Sequence, residues 1–508
     1  MPPTSKKNHR RLFLALAIVP GLLGLSSCRP STQWDVSAGR DAAEQLRVRM
    51  GELDNSEMEA YVGSVGRRLA SQLDDSPFHY TFTLLDEPNL NAFAAPGGQV
   101  FVTRGLLAWL NDEDELAGVL GHEMMHVEQR HTARQIQQAF VPGVLAVPGA
   151  VVGDVVNRDL GDLMAGPFQG AGEIMLAGYG RENEREADRM GMDLAASAGY
   201  DPRGTVRFLD GMSLYEQWDG QAEQTPSMLD SHPLTKQRVA ATAAHLARLE
   251  QVPRPASSDQ RDAFLARLDG LIVGDNPAEG VFMGSWFVHP DAGLSIRLPR
   301  DWFYLRNRGM IAAMTLAQDA VLMYDPPTPG TDPSQEAQRL RAQLDRNGIP
   351  IVLDEPAEIN GIPAHRLRAE LGIIPGDPYY LDVTWYALNG YVQRQIVVSP
   401  AEHLEQAEET AMSFARITPA QRDWVTVRRL RVVTLKQGES VREVVWRMNS
   451  PWHPEKVAAL NGLDVDEPQP ADRLVKVVRV ERYESHGQGP MFEIARLQRS
   501  RPDPGGNP

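Results

Sequence analysis

Residues 121 to 131 read GHEMMHVEQRH. His122 and His126 stand four apart with Glu123 after the first. On a helix that spacing stacks two imidazoles on one face and sets a carboxylate beside them. Paired imidazoles suit a divalent ion such as zinc, and the carboxylate suits the role of base toward a water held there. Two donors do not finish such a site, because a catalytic zinc takes three protein ligands and leaves one position open. His131 is the nearest further candidate. On one continuous helix, however, it would point about 140° from His126 and about 180° from His122, so it is expected to be structural.

Carboxylates offer the other route. The stretch RENEREADRMGMDLAASAG, 181 to 199, places Glu182, Glu184, Glu186 and Asp188 at two-residue intervals, and successive members of such a series point about 200° apart on a helix. Ala187, Gly191, Leu194 and Ala198 mark the apolar stripe. Glu184 and Asp188 border it, whereas Glu182 and Glu186 fall nearly opposite. Two acids beside a buried face need a partner, and a metal supplies one, with Glu184 as the third ligand and Asp188 as acceptor for a ligating imidazole. A solvated acidic helix start, stabilised by the helix dipole, would leave the same pattern.

Taken together, GHEMMHVEQRH, NEREADRMGMDLAASAGYDP and SHPLTKQR resemble the BepA/LoiP type, the bacterial periplasmic branch of the gluzincin peptidases that also include the CAAX prenyl proteases. The resemblance spans about residues 40 to 250. It implies one zinc ion per chain, held by His122, His126 and Glu184, with Glu123 as general base and Asp188 as the supporting acid. NAFAAPGGQVFVT resembles the family's edge strand, where an extended peptide would add by β-augmentation. His232 falls where the family places a histidine by the metal, either as a donor to the developing oxyanion or as a group filling the open metal position. Its place before Pro233 also fits a residue that caps or packs at a helix start.

The elements that must carry these residues are legible in outline. Helical spacing over 38 to 75 predicts two helices, 80 to 86 a strand, and 91 to 107 a strand, a Pro-Gly-Gly turn and a second strand. Asp112 with Glu115 three residues later marks the start of the motif helix. Further helices are expected at 182 to 198 and from Pro233 to about 250. The apolar run 140 to 156 is broken by Pro142 and Pro148, and reads as a cover or a core hairpin more readily than as a membrane span. Residues 256–285 have linker character. Residues 286–418, with Asn-Gly hairpins at 360 and 389, predict an α+β domain that resembles a PsbP-type fold. Residues 424–480 read strand, helix, helix, strand and resemble a degenerate LysM module. The expected fold class is therefore α+β: a mainly helical zincin-type peptidase domain (29–255) with a small sheet, then the α+β domain, then the βααβ module and a disordered tail (481–508).

A chain of 508 residues with 42% hydrophobic content can bury several cores. Its net charge of −16 offers no footprint for nucleic acid. KKNHRR followed by LFLALAIVPGLLGL and LSSC reads as a lipoprotein signal peptide (1–28), cleaved before Cys28, which would be lipidated. Arg29 rather than Asp after the cysteine points to the outer membrane, with the protein facing the periplasm. The expected function is a zinc metalloendopeptidase acting on unfolded or misassembled envelope proteins. The competing reading is a non-catalytic scaffolding lipoprotein whose LysM-like module contacts peptidoglycan or another protein.

Overall fold

The computed structural model describes residues 31–139, 179–219, 228–234, 236–249, 252–253, 257–307, 310–317, 319–325, 327–371 and 378–485. Cys28 and the leader, the 140 to 156 run, and the end of the chain from 486 lie outside the described residues. Among those described, no helix is long and apolar enough to cross a membrane.

The first half opens with α1 (Thr32–Met50) and α2 (Ser56–Ala70). Strands β1 (Thr81–Leu85), β2 (Ala92–Ala95) and β3 (Gln99–Thr103) follow in the order β1-β3-β2, with β1 parallel and β2 antiparallel to β3. Helices α3 (Arg104–Trp109), α4 (Glu113–Glu128) and α5 (His131–Ala139) come next. Among the described residues, helices α6 (Arg181–Ser197), α7 (Arg203–Asp219), α8 (Met228–Ser231), α9 (Lys236–Leu246) and α10 (Ser258–Leu268) follow.

Helix α4 starts where its cap demands. The Asp112 side chain accepts from the Glu115 N–H, and the Glu115 carboxylate accepts from the Asn111 N–H. All residues from Asp114 to Val127 are buried, so α4 is the central rod of the core. Helix α6 crosses it at two glycines: a Cβ on Gly191 would lie 2.8 Å from the His122 nitrogen and 2.9 Å from the Gly121 carbonyl carbon. Only bare backbone fits on both sides, and this contact brings the acids of α6 against His122.

Three expectations are corrected. Residues 258–268, within the expected linker, form a helix with a Ser257–Gln260 capping box, and Phe264, Leu265 and Leu268 join the core of α4. Pro233 does not open a helix; His232 and Pro233 lie between α8 and α9. The last strand runs to Arg482 with Tyr483 buried, past the expected start of the tail.

The middle of the chain is α+β. An eight-stranded sheet contains the hairpins Ile351–Ile359 with Ile362–Leu371 and Tyr379–Leu388 with Tyr391–Pro400. Asn360 and Gly361 (φ 51° and 73°), like Asn389 and Gly390 (φ 53° and 83°), adopt the left-handed pair a tight hairpin needs. Two antiparallel strands, Thr426–Thr434 and Leu474–Arg482, enclose helices Val441–Arg447 and Pro454–Asn461. This βααβ unit is joined to the first half of the chain. Leu430, Leu460 and Val478 enter the core of α4, and the 270–273 segment bonds in strand fashion to Arg428 and Leu430. Lys476, fully buried, donates to the carbonyls of Ala108, Trp109 and Leu110 at 3.0, 2.8 and 2.7 Å.

Candidate metal centre

Four side chains converge where α4, α6 and the α8–α9 connection meet. His122 and His126 project from one face of α4 with their Nε2 atoms 3.0 Å apart. Glu184, on the first turn of α6, brings Oε1 to 3.3 Å from His126 Nε2 and Oε2 to 3.6 Å from His122 Nε2. His232 brings Nδ1 to 3.2 Å from His122 Nε2 and 3.0 Å from Glu184 Oε1. All four residues are buried.

These separations test whether the set fits a metal. Nitrogen and oxygen donors at 2.0–2.2 Å from a tetrahedral zinc stand about 3.3–3.6 Å from one another. The two Glu184–histidine separations at Nε2 fall in that window, at 3.3 and 3.6 Å, and the other three, at 3.0, 3.2 and 3.0 Å, are a few tenths of an ångström tighter. The donor types and their convergence fit a bound ion with a small outward shift of the rings. Four potential metal donors gathered out of water need ring protons, the neighbouring Arg238 or a bound cation to offset one another. The neighbouring carboxylate says the same: Glu123 is fully buried, neither of its oxygens has a hydrogen-bond partner, and Oε1 lies 3.4 Å from His232 Nε2.

Burial pushes the Glu123 carboxyl above the usual range, against the pull of His232 and His122. Burial acts the same way on Glu184, but the charges of His232, Arg238 and His122 outweigh it and hold Glu184 well below the ordinary value. Burial holds His126 well below the ordinary histidine value, which suits a ligand that must be neutral. Asp188 approaches His122 Nδ1 at 3.0 Å. Of the alternating acids, Glu184 and Asp188 are buried, Glu182 is exposed and Glu186 is partly exposed.

Two contributors escaped the spacing argument. Arg238 on α9 clamps both acids: Nε and Nη2 grip Asp188 at 2.6 and 2.8 Å, and Nη1 lies 2.6 Å from Glu184 Oε2. Its only signal in the chain is its position at the end of SHPLTKQR. Tyr179 stacks on the His126 ring at 3.9 Å and shares a 2.7 Å hydrogen bond with Thr132. His131 is also displaced from its expected place. Helix α4 ends at Glu128, Arg130 turns the chain at φ 53°, and His131 begins α5 with Nδ1 3.0 Å from His126 Nδ1. It stands behind a ligand rather than around the helix from it.

Residues 56–245 match the family described as Peptidase family M48. That span contains all four converging donors and Glu123. A putative beta-barrel assembly-enhancing protease of Vibrio cholerae is 30% identical over 230 residues, 44% of this chain and 45% of its own length. The beta-barrel assembly-enhancing protease of Yersinia pestis is 28% identical over 280 residues, 54% of this chain and 56% of its own. The mitochondrial metalloendopeptidase OMA1 of Schizosaccharomyces pombe is 31% identical over 179 residues, 35% and 50% of the two lengths. The chain thus spans about half the length of the curated relatives it matches. A solution structure of cyanobacterial PsbP from Synechocystis, 14% identical, covers 28% of this chain and 99% of its own at a TM-score of 0.22, a likeness that carries no argument.

Proposed function

We propose that this chain is a zinc-dependent endopeptidase that cleaves unfolded or misassembled cell-envelope proteins. The convergence of His122, His126, Glu184 and His232 beside the fully buried Glu123 carboxylate is the observation that carries this reading. Zinc bound there supplies Lewis acidity toward a peptide carbonyl and makes water a nucleophile at neutral pH. Glu123, whose burial favours holding a proton, takes one from the attacking water and returns it to the leaving amine. Asp188 and Arg238 keep His122 and Glu184 aimed. Names of the relatives support the envelope substrate class, and a lipid on Cys28 would place the chain at the outer membrane. The βααβ unit we read as a LysM-like contact module for peptidoglycan or protein.

His232 we read as a latch. With His122, His126 and Glu184 holding an ion, the His232 Nδ1, beside His122 Nε2 and Glu184 Oε1, would take the place a catalytic water needs. Contacts from that segment and from α5 cap the two ends of the edge strand. Strand β2 lies at the margin of its sheet, yet the Leu90 carbonyl accepts from the Met228 N–H and the Ala94 carbonyl accepts from the Thr132 hydroxyl. We read these contacts as restricting the edge along which an extended peptide would pair.

Digestion of casein with and without chelator tests the reaction. Glu123→Gln should retain stoichiometric zinc and lose activity by about 10²–10⁴-fold; undiminished cleavage would sink the mechanism. His232→Ala should raise the rate with zinc retained. A loss of about a hundredfold would instead make His232 a transition-state donor, and no change would leave it structural.

A further inference from the structure

A metal-ligating imidazole carries its proton on the nitrogen away from the metal, and what that proton bonds to sets the ring's orientation and basicity. For His122 the partner is Asp188. For His126, Glu184 stands at Nε2, the side that would face the metal; its Nδ1 faces the Nδ1 of His131 at 3.0 Å, and His131 Nε2 lies 3.3 Å from Glu186 Oε2. If His126 gives Nε2 to a metal, its proton sits on Nδ1 and donates to His131 Nδ1. His131 must then carry its own proton on Nε2, where it donates to Glu186. One assignment satisfies the whole row.

We propose that His131 is a positioning residue for the metal ligand His126, and that His126, His131 and Glu186 form a relay ending in a carboxylate, the counterpart of the direct contact between His122 and Asp188. The inference rests on the functional reading above, since the proton assignment follows from His126 being a ligand. Both ligands of α4 then lean on acids of α6: Asp188, buried, touches its imidazole directly, and Glu186, partly exposed, acts through one intervening ring. The reversal at Arg130 is what makes this possible, because a continuous helix would carry His131 away from His126.

His131 is buried, so a packing role must be separated from an acceptor role. His131→Phe keeps a ring and removes the acceptor. His131→Asn loses the ring but offers its amide oxygen near the place of Nδ1. Zinc affinity of the full-length chain, measured by competition with a chromophoric chelator, should fall about 10–100-fold in the Phe variant and stay close to wild type in the Asn variant. The cobalt-substituted absorption spectrum should change in the Phe variant alone. The reverse ranking, equal weakening, or no weakening in either overturns the relay. Should the Phe variant fail to fold, Glu186→Ala, on a partly exposed side chain, decides: a weaker but measurable loss of zinc affinity supports the relay, and wild-type affinity overturns it. A wild-type chain that binds no zinc brings down the functional reading itself. Normal zinc binding that is insensitive at both positions brings down only the relay.

Discussion

Helix α4 buries charge near both of its ends, and the two ends solve the problem in opposite ways. Toward its C-terminus, His122, His126, Glu184 and His232 point lone pairs at one another within 3.0–3.6 Å. Just before its N-terminus, the Lys476 ammonium sits among three carbonyl oxygens within 3.0 Å. One cluster gathers four potential metal donors, with the Arg238 guanidinium against Glu184 at its edge; the other is filled by the Lys476 side chain of the last strand. Unpaired charge out of water is costly in both places, and what differs is where the counter-charge comes from. The histidine end would be completed by a bound ion, whereas the lysine end ties the C-terminal unit to the core around α4.

The comparison predicts effects of different kind and size. The largest is at the metal end: Glu184→Ala should weaken zinc binding beyond the roughly 100-fold upper figure for loss of a supporting partner, and Glu182→Ala should leave it unchanged. Equal losses at both would mean that the face of α6 had been misassigned. At the other end, Lys476→Met strips the Lys476 hydrogen bonds from three buried carbonyls, and the chain should lose about 3 kcal/mol in chemical denaturation at pH 7 while still binding one zinc. Loss of zinc with unchanged stability would reverse the roles assigned to the two ends.

The last effect is one of pH, at the same lysine. Burial pushes Lys476 down to about 7. Its folded value thus lies below the ordinary lysine value of about 10.4. Between these limits the unfolded chain holds the extra proton, so this group's contribution makes stability rise with pH across the window, and that contribution is lost as pH falls through about 7. The slope has a ceiling of about 1.4 kcal/mol per pH unit. Denaturation midpoints at pH 7 and pH 9.5 should diverge less in Lys476→Met than in wild type. Identical divergence would show that Lys476 does not titrate in that range.

Legibility followed the distance over which a residue's partner had to be found. His122, Glu123 and His126 are set by local helical spacing, and so is the choice of Glu184 and Asp188 over Glu182. The Asn-Gly turns and the strand, helix, helix, strand order near the end were readable for the same reason. The misplacement of His131 came from extending α4 by one turn: nothing in QRH announces the positive φ at Arg130, which tertiary packing imposes. Helix α10 was hidden by the linker-like composition of QVPRPASSDQ. Its signals were present in the Ser257–Gln260 capping box and in Phe264, Leu265 and Leu268, spaced for one helical face.

The sequence by itself determined which side chains share a face of α4 and of α6, because helix periodicity is a property of the backbone and each motif lies within one element. Only the tertiary structure decided that the two faces meet, through the close approach of Gly121 and Gly191. It alone brought His232 and Arg238 to the same acids, and Lys476 to the carbonyl of Trp109 from 367 residues away. Contacts of that range leave no periodic trace in the chain, since they arise from how finished elements pack and from the need of each buried charge to find a partner there.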